Sequence, residues 1–518
     1  MIRQDNIMQQ ESRIRKTLLN ARVNLIFYFL TLSLSFFSRK IFLDGLGADF
    51  IGLTGTLGTL LGFLNLAESG VSAAIAVVLY APLLERNQIK INEIVSVLGY
   101  LYKIIGTVII ATGVVLSCFF PLIFSNTELE FSIIYLTFYS FLTSSLIGYF
   151  INYKQVLLSA DQRNYVVAAY SQTANIFKIL LQMAFAYYTG NYYLWVIIEL
   201  FFGILYSIIL NWKINQVYPW LKAELKYGKS LCKKYPEVLR YTKQLFIHKI
   251  GSVVYSQVTP FLVYAFASLQ AVAYYGNYTL VTSKLSSLLS NFLGGTNASV
   301  GNLIAEGDKQ KILKVYWELM SIRFLFVALS VFVMYYLLPP FIALWLGDEY
   351  VMSETLLILV LISFALSIIR GVTEEFSIGY GLFSDVWSPF AEAVILIVVA
   401  ILGGSFWGLE GTLLGSIVST LIIIYIWKPY FLFSKGLKLS VWVYWRELSK
   451  YIYSILLAFY ASDLLLEYIP IRFSVYTSWS DWILFAIVAS MIFIFIVGGG
   501  LLITTQGTRN LIFRFIKR

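Results

Sequence analysis

Residues 46–83 read LGADFIGLTGTLGTLLGFLNLAESGVSAAIAVVLYAPL, a long apolar run whose charged side chains are Asp49 and Glu68. The run does not alternate between polar and apolar residues, so it favours a helix over a strand. In the hydrocarbon of a bilayer, a helix also satisfies its own backbone hydrogen bonds. A straight helix over this run would be roughly 57 Å long, whereas the hydrocarbon core is about 30 Å thick. We therefore predict a membrane helix that tilts, bends or projects into water.

The composition of the whole chain points the same way. Hydrophobic residues make up 59% of the 518 residues, charged residues make up 13%, and the mean hydropathy is +0.77. These values exclude an ordinary soluble protein. We predict an all-α integral membrane protein with about fourteen transmembrane helices, six plus six plus two. They cover residues 22–38, 46–83, 96–123, 131–158, 163–188, 191–211, 242–267, 270–304, 315–345, 353–380, 384–405, 410–433, 446–468 and 481–505.

Landmarks in the first half of the chain recur about 224 positions later, which indicates an internal duplication. The matching pairs are Gly52 and Gly276, Gly70 and Gly294, Lys90 and Lys314, Glu130 and Glu354, and Asp161 and Asp385. Duplicated bundles are common among alternating-access transporters. Because six crossings return each half to the same side, we expect pseudo-two-fold symmetry about an axis along the membrane normal.

The predicted organisation has four parts. Residues 1–211 form an N-terminal six-helix half, and residues 212–241 form a basic cytoplasmic linker. Residues 242–433 form a C-terminal six-helix half, and residues 434–518 add two helices and a cytoplasmic tail. The positive charge of the linker is expected to meet anionic lipid headgroups.

The distribution of positive charge sets the expected orientation. With both termini in the cytoplasm, most of the 38 Lys and Arg residues lie on the cytoplasmic side, as the positive-inside rule requires. Arg39, Lys40 and Arg472 are then outside. The basic stretch before the first helix is typical of a retained signal anchor. Topology therefore accounts for the net charge of +10 without nucleic-acid binding.

Three cations are predicted within the membrane, namely Lys178, Lys284 and Arg370. Each charge costs roughly 2.5 to 3.5 kcal/mol at mid-helix, so these side chains should face the bundle interior, where they are candidates for binding an anionic substrate. The carboxylates available as coupling groups or counter-charges are Glu68, Glu199, Glu374, Glu375 and Glu392. Arg370 and Glu374 are spaced i, i+4 and could neutralise each other. Lys178 and Lys284 could instead snorkel, or pair with Glu68 or Glu199.

The sequence offers none of the arrangements that enzymes of known motif use. A single histidine, His248, gives no histidine cluster, and no Gly-rich phosphate loop introduces an ATPase domain. We therefore predict a protein that is not an enzyme and has no metal or cofactor. A transporter of this kind would use a proton or sodium gradient, or the gradient of its substrate.

The chain resembles the Wzx-type flippases of O-antigen and capsular polysaccharide repeat units, in the multidrug/oligosaccharidyl-lipid/polysaccharide exporter superfamily. The resemblance covers nearly the whole chain. It rests on the helix arrangement and on two stretches, Leu64-Asn65-Leu66-Ala67-Glu68-Ser69-Gly70 and Asn152-Tyr153-Lys154 through Ala160-Asp161-Gln162.

The resemblance implies a function and a place in the cell. The substrate would be an undecaprenyl-diphosphate-linked oligosaccharide, moved by alternating access from the inner to the outer leaflet of a bacterial cytoplasmic membrane. The resemblance also implies a central cavity rich in positive charge, where Lys178, Lys284 and Arg370 would suit the diphosphate.

Two other functions remain open. A drug/cation antiporter of the same superfamily should need a cavity of net negative charge, and the mid-helix lysines argue against it. A membrane polysaccharide polymerase or ligase typically has a large outer loop with catalytic residues, and the predicted outer segments are too short.

Overall fold

The computed structural model describes residues 13–68, 70–293, 297–382, 384–468 and 474–516. Within these ranges the chain forms helices joined by turns and contains no strand, which confirms the predicted all-α class. It divides into two compact units, residues 1–257 and 258–518. The division falls beyond the predicted linker of residues 212–241, and the predicted domain boundaries stay predictions.

The first unit contains nine helices of the described chain and most of a tenth. They are α1 (Arg13–Leu64), α2 (Val71–Leu84), α3 (Gln88–Ser117), α4 (Phe120–Ile123), α5 (Phe131–Phe150), α6 (Gln155–Ala160), α7 (Asn164–Thr189), α8 (Tyr192–Val217), α9 (Gly228–Lys234) and α10 (Pro236–Phe266).

The second unit begins within α10 and adds nine further α-helices among the described residues. They are α11 (Leu269–Leu293), α12 (Asn297–Glu306), α13 (Lys309–Trp345), α14 (Glu354–Gly379), α15 (Ser388–Thr420), α16 (Lys428–Phe431), α17 (Trp442–Glu467), α18 (Trp479–Thr504) and α19 (Gln506–Ile516). Two π-helical segments, Leu421–Trp427 and Leu432–Leu437, flank α16.

Eight helical stretches in the described chain are long and apolar enough to cross a membrane. Large apolar side chains on their surfaces are exposed, among them Phe495 and Ile503 of α18. Such surfaces suit contact with lipid tails, which are as apolar as the side chains themselves. The chain is therefore a multi-pass membrane protein, and its orientation in the membrane stays a prediction.

The long apolar run of residues 46–83 is not one straight helix. A kink at Gly47, with a φ of 77°, separates it from the preceding part of α1. The helix then ends at Leu64, continues as a 3₁₀ turn over Asn65–Glu68, and restarts as α2 at Val71. Gly70 between them has a φ of 99°, which favours glycine because a Cβ would be strained there. The run therefore accommodates its excess length by breaking.

A second break divides α15. Trp407 and Gly408 leave helical geometry, and Gly408 has a φ of 56°. The two arms meet so closely that a Cβ on Gly411 would lie 1.9 Å from the carbonyl oxygen of Gly403. Small residues allow this approach of backbones, as they do at membrane helix interfaces generally. The break agrees with the predicted gap between the helices at 384–405 and 410–433.

The internal repeat is visible in the helix boundaries. α5 begins at Phe131 and α14 at Glu354, while α7 begins at Asn164 and α15 at Ser388. Both separations are close to the predicted offset of 224. Gly294 lies outside the described residues, so its match to Gly70 is not compared.

The two helices predicted after residue 433 correspond to α17 and α18, and both pack on α13. The ring of Phe493 in α18 stacks on Phe332 of α13 with centroids 4.1 Å apart. Trp482 Nε1 donates a hydrogen bond to the carbonyl oxygen of Leu337 at 3.0 Å. Buried aromatic contacts of this kind add to the packing that holds membrane helices together.

Candidate functional site

Lys178 forms an interhelical ion pair in the first unit. Its Nζ donates to Glu199 Oε1 at 2.7 Å, which joins α7 to α8. Gln182 Nε2 donates to the other carboxylate oxygen and to the Trp195 carbonyl oxygen, each at 3.1 Å. The side chains of Lys178 and Glu199 are 18% and 20% exposed. Of the carboxylates that the sequence left open for Lys178, the structure places Glu199 beside it.

Arg370 lies in a network that joins α14 to α15. Its Nε donates to Glu374 Oε1 at 2.9 Å, so the pair predicted from the i, i+4 spacing is formed. Its Nη1 reaches Glu392 Oε1 at 3.5 Å, and the Thr420 hydroxyl donates to the same oxygen at 3.5 Å. The guanidinium therefore faces two carboxylates rather than one.

Arg323 is a buried cation that was not among those predicted within the membrane. It is 8% exposed within α13, where it pairs with Glu375 and donates to the Ile368 carbonyl oxygen at 2.9 Å. The guanidinium occupies the space above Gly371, since a Cβ there would lie 2.1 Å from Arg323 Nη1. The feature of the sequence that could have identified Arg323 is its position inside the apolar helix predicted at 315–345.

Lys284 is half-buried on α11, a helix that packs against α14. Lys284 and Arg370 thus belong to adjacent helices of the second unit, whereas Lys178 belongs to the first unit.

Glu68 lies in the break between α1 and α2, surrounded by hydroxyl groups. Its Oε1 accepts hydrogen bonds from Ser72 at 2.7 Å and from Tyr102 of α3 at 2.6 Å. Tyr149 of α5 lies 3.5 Å from its Oε2 and donates to Asn65 Oδ1 at 2.9 Å. The broken helix thus brings a carboxylate and an amide oxygen into one polar cluster.

The stretch of residues 152–162 has polar residues that hold helices together. Asn152 Nδ2 donates to the Ser207 hydroxyl of α8 at 2.9 Å, and both side chains are buried. Asp161 pairs with Arg163 at 2.9 Å and accepts from Tyr218 at 2.9 Å. Burial and the neighbouring carboxylate raise the pKa of Tyr218 above its ordinary value. The repeat partner Asp385 pairs with a different residue, Lys428, at 2.7 Å.

The described residues include no group of three or more His, Cys, Asp or Glu side chains placed to hold a metal ion. His248 has a side chain outside the described set, and Arg472 lies outside the described residues altogether.

No family model and no curated protein sequence matches the chain. Solved structures do match. The lipid II flippase MurJ in an inward closed conformation aligns with a TM-score of 0.62 at 17% identity, over 95% of this chain and 99% of that one.

Two further solved structures align with less of the chain. A multidrug resistance MATE family transporter of the MOP superfamily, in an inward-facing conformation, gives a TM-score of 0.58 at 13% identity, over 81% of this chain and 99% of that one. A MOP superfamily transporter from Pyrococcus furiosus gives a TM-score of 0.51 at 14% identity, over 82% of this chain and 96% of that one. The chain therefore has the fold of MOP superfamily transporters.

Proposed function

We propose that this protein is a flippase that moves an undecaprenyl-diphosphate-linked oligosaccharide from the inner to the outer leaflet of a bacterial cytoplasmic membrane by alternating access. The observation that carries the proposal is the extent of the fold match. It reaches 95% of the chain for the lipid II flippase and 81% for the MATE transporter.

The membrane cations supply the chemistry that a diphosphate requires. Lys178, Lys284 and Arg370 are proposed to contact it, and Arg can bind phosphate through two parallel hydrogen bonds. A diphosphate carries more negative charge than one carboxylate. It would therefore compete with Glu199 for Lys178, and with Glu374 and Glu392 for Arg370.

A gene deletion tests the proposal in cells. Without the protein, a lipid-linked oligosaccharide should accumulate on the cytoplasmic side, and surface O-antigen or capsule should be lost. The nature of the accumulated intermediate would identify the sugar repeat unit. Deletion without any such intermediate would contradict the proposal.

Complementation with single variants tests the residues. Lys178→Ala and Lys284→Ala should abolish surface polysaccharide while the protein stays in the membrane at wild-type amounts. Lys229→Ala, which removes an exposed lysine of α9, is the matched control and should complement fully. Normal surface polysaccharide in both test variants would show that these lysines are not part of the site. The gene deletion alone would then decide the flippase proposal.

A drug/cation antiporter of the same superfamily is the second candidate. Glu68 favours it, because a membrane carboxylate among hydroxyl groups can attract a cation. Loss of the protein would then sensitise cells to cationic drugs and leave surface polysaccharide unchanged, the reverse of the result expected for the flippase.

A further inference from the structure

The last described helix, α19, is attached to α13 by one of its faces. Gly507 lies so close to α13 that a Cβ there would overlap the carbonyl oxygen of Trp317 and the hydroxyl of Ser321. Two turns later, Arg514 Nη1 donates to Glu318 Oε2 at 2.9 Å, and the Glu318 side chain is 4% exposed. Gly507 and Arg514 are seven residues apart and share one side of the helix. That side is therefore committed to α13.

The first unit holds α9 on α3 in a similar way. Gly228 packs against α3, and Lys234 Nζ donates to Glu93 of α3 at 2.7 Å. Glu93 and Glu318 are separated by close to the repeat offset of 224. Attachment of a short basic helix to this position therefore belongs to the duplicated scaffold. It does not account for the opposite side of α19.

The opposite side of α19 combines a cation with exposed apolar side chains. Arg509 is exposed, and Ile512 and Phe513 are 37% and 62% exposed. Arg509 Nε donates to the Thr505 carbonyl oxygen at 3.3 Å, and no carboxylate of the described chain lies within ion-pair distance of the guanidinium. The two Nη groups can therefore donate to an anion. We call Arg509, Ile512 and Phe513 the α19 surface.

The α19 surface lies where a membrane helix ends. α18 is long and apolar enough to cross a membrane, and Ile503 in its last turn is 77% exposed. Its 26 residues span roughly 39 Å, which exceeds the hydrocarbon core of about 30 Å, so its end is expected among the headgroups. Thr505 then leaves helical geometry, and α19 begins at Gln506. The α19 surface is therefore at the level of the lipid headgroups.

The charge of this part of the chain selects the kind of lipid. Residues 482–518 contain no Asp or Glu and four basic residues, namely Arg509, Arg514, Lys517 and Arg518, of which the last two lie outside the described residues. Basic residues next to a membrane helix attract anionic headgroups, and apolar side chains of an interfacial helix insert among acyl chains. A zwitterionic lipid also has a phosphate but no net charge to match.

We propose that the α19 surface is a docking site for an anionic phospholipid, with the lipid phosphate at Arg509 and the acyl chains against Ile512 and Phe513. The inference goes beyond the proposed function and does not depend on which substrate is transported. A lipid bound here would hold α19 at the membrane surface, while Gly507 and Arg514 hold it to α13. The lipid would thereby fix the position of the beginning of α13 in the bilayer.

The test measures which lipid lies next to α19 in the full-length protein. Gln506→Cys places a fluorophore on an exposed position of α19, one turn before Arg509, in a background with Cys118→Ala and Cys232→Ala. The protein is reconstituted into phosphatidylcholine vesicles that contain a small fraction of quencher-labelled phosphatidylglycerol or quencher-labelled phosphatidylcholine. Both lipids should quench, and phosphatidylglycerol should quench more strongly. Arg509→Gln should lower this selectivity about fivefold, the effect of one basic residue near an anionic surface.

Lys40→Gln is the matched control, because it removes another exposed cation, which pairs with Asp44 in the first unit. It should leave the selectivity at α19 unchanged. Arg509→Lys keeps the charge and should keep most of the selectivity. Phe513→Ser should reduce quenching by both lipids, because it removes the side chain that inserts among the acyl chains.

Salt keeps the test decisive if Arg509→Gln does not fold. Higher ionic strength should lower the selectivity of the protein with Arg509 intact, because an exposed charge is screened. Equal quenching by the two lipids, a selectivity that salt does not change, or unchanged selectivity in folded Arg509→Gln would overturn the proposal. Absence of quenching by either lipid would also overturn it, because α19 would then lie away from the membrane.

Discussion

Removing the carboxylate that balances Lys178 should destabilise the protein. Glu199→Gln keeps the size of the side chain and an acceptor for Gln182 Nε2, so the main loss is the charge that pairs with Lys178. Breaking a buried pair costs about 3–5 kcal/mol. The two side chains here are 18% and 20% exposed, which lowers the expected loss to roughly 2–3 kcal/mol.

A double-mutant cycle measures this interaction without counting the rest of each side chain. Lys178→Met and Glu199→Gln should each lower the free energy of unfolding. The double variant should recover most of that loss, because no unpaired charge remains. We expect a coupling energy of about 2 kcal/mol from reversible unfolding in mixed detergent micelles. Additive single effects, or single effects below about 0.5 kcal/mol, would refute the reasoning.

An exposed pair provides the control. Lys40 and Asp44 are spaced i, i+4, lie 3.3 Å apart and are 46% and 54% exposed. Exposed helix pairs couple by about 0.3–0.5 kcal/mol, so the same cycle at this pair should give a much smaller value.

The same double variant separates a structural role of Lys178 from a substrate role. A folded Lys178→Met/Glu199→Gln protein that no longer supports surface polysaccharide would place Lys178 in contact with the substrate. Surface polysaccharide at the wild-type level in that variant would show that the Lys178–Glu199 pair serves helix packing alone.

Two further predictions concern the second unit. Arg323→Met should lower the free energy of unfolding by about 3–5 kcal/mol in the same titration, because it removes the guanidinium that pairs with Glu375 in a site where both side chains are about one-tenth exposed; a loss below about 1 kcal/mol would contradict this. Gly411→Ala should abolish monodisperse protein in size-exclusion chromatography, because its Cβ would overlap the backbone of Gly403, whereas Gly498→Ala has open space around its Cβ and should elute as wild type does. Equal profiles for the two variants would contradict the close contact.

The all-α class was predictable because the apolar runs are long and continuous. The predicted count of fourteen membrane helices is not confirmed, since eight stretches of the described chain are long and apolar enough to cross a membrane, and the run predicted at 131–158 is divided between α5 and α6. The pairing of Arg370 with Glu374 was also predictable, since helical spacing alone places the two side chains together. The partner of Lys178 was not, because the choice between Glu68 and Glu199 depends on which helices pack side by side. Arg323 could have been identified from its position inside the predicted helix 315–345, but its partners could not, because they lie on α14, a different helix.

The break at residues 65–70 shows a different limit. The length of the apolar run required a bend, tilt or projection, yet its glycines offered several places for a bend. The position was decided by packing as well as by backbone freedom, since a Cβ on Gly70 would lie 2.9 Å from the backbone nitrogen of Phe246 in α10. That contact depends on residues far apart in the chain and cannot be derived from local pattern.

Flipping by the purified protein is the most direct test of the central claim. Vesicles containing an undecaprenyl-diphosphate-linked oligosaccharide in both leaflets are treated from outside with a glycosidase that cannot cross the membrane. Without protein, only the outer-leaflet pool should be cleaved. With the protein, the account predicts that the inner-leaflet pool also becomes cleavable while the vesicles stay sealed. The account would be contradicted if the inner-leaflet pool stayed protected in vesicles that contain folded protein, whichever direction the sodium gradient has.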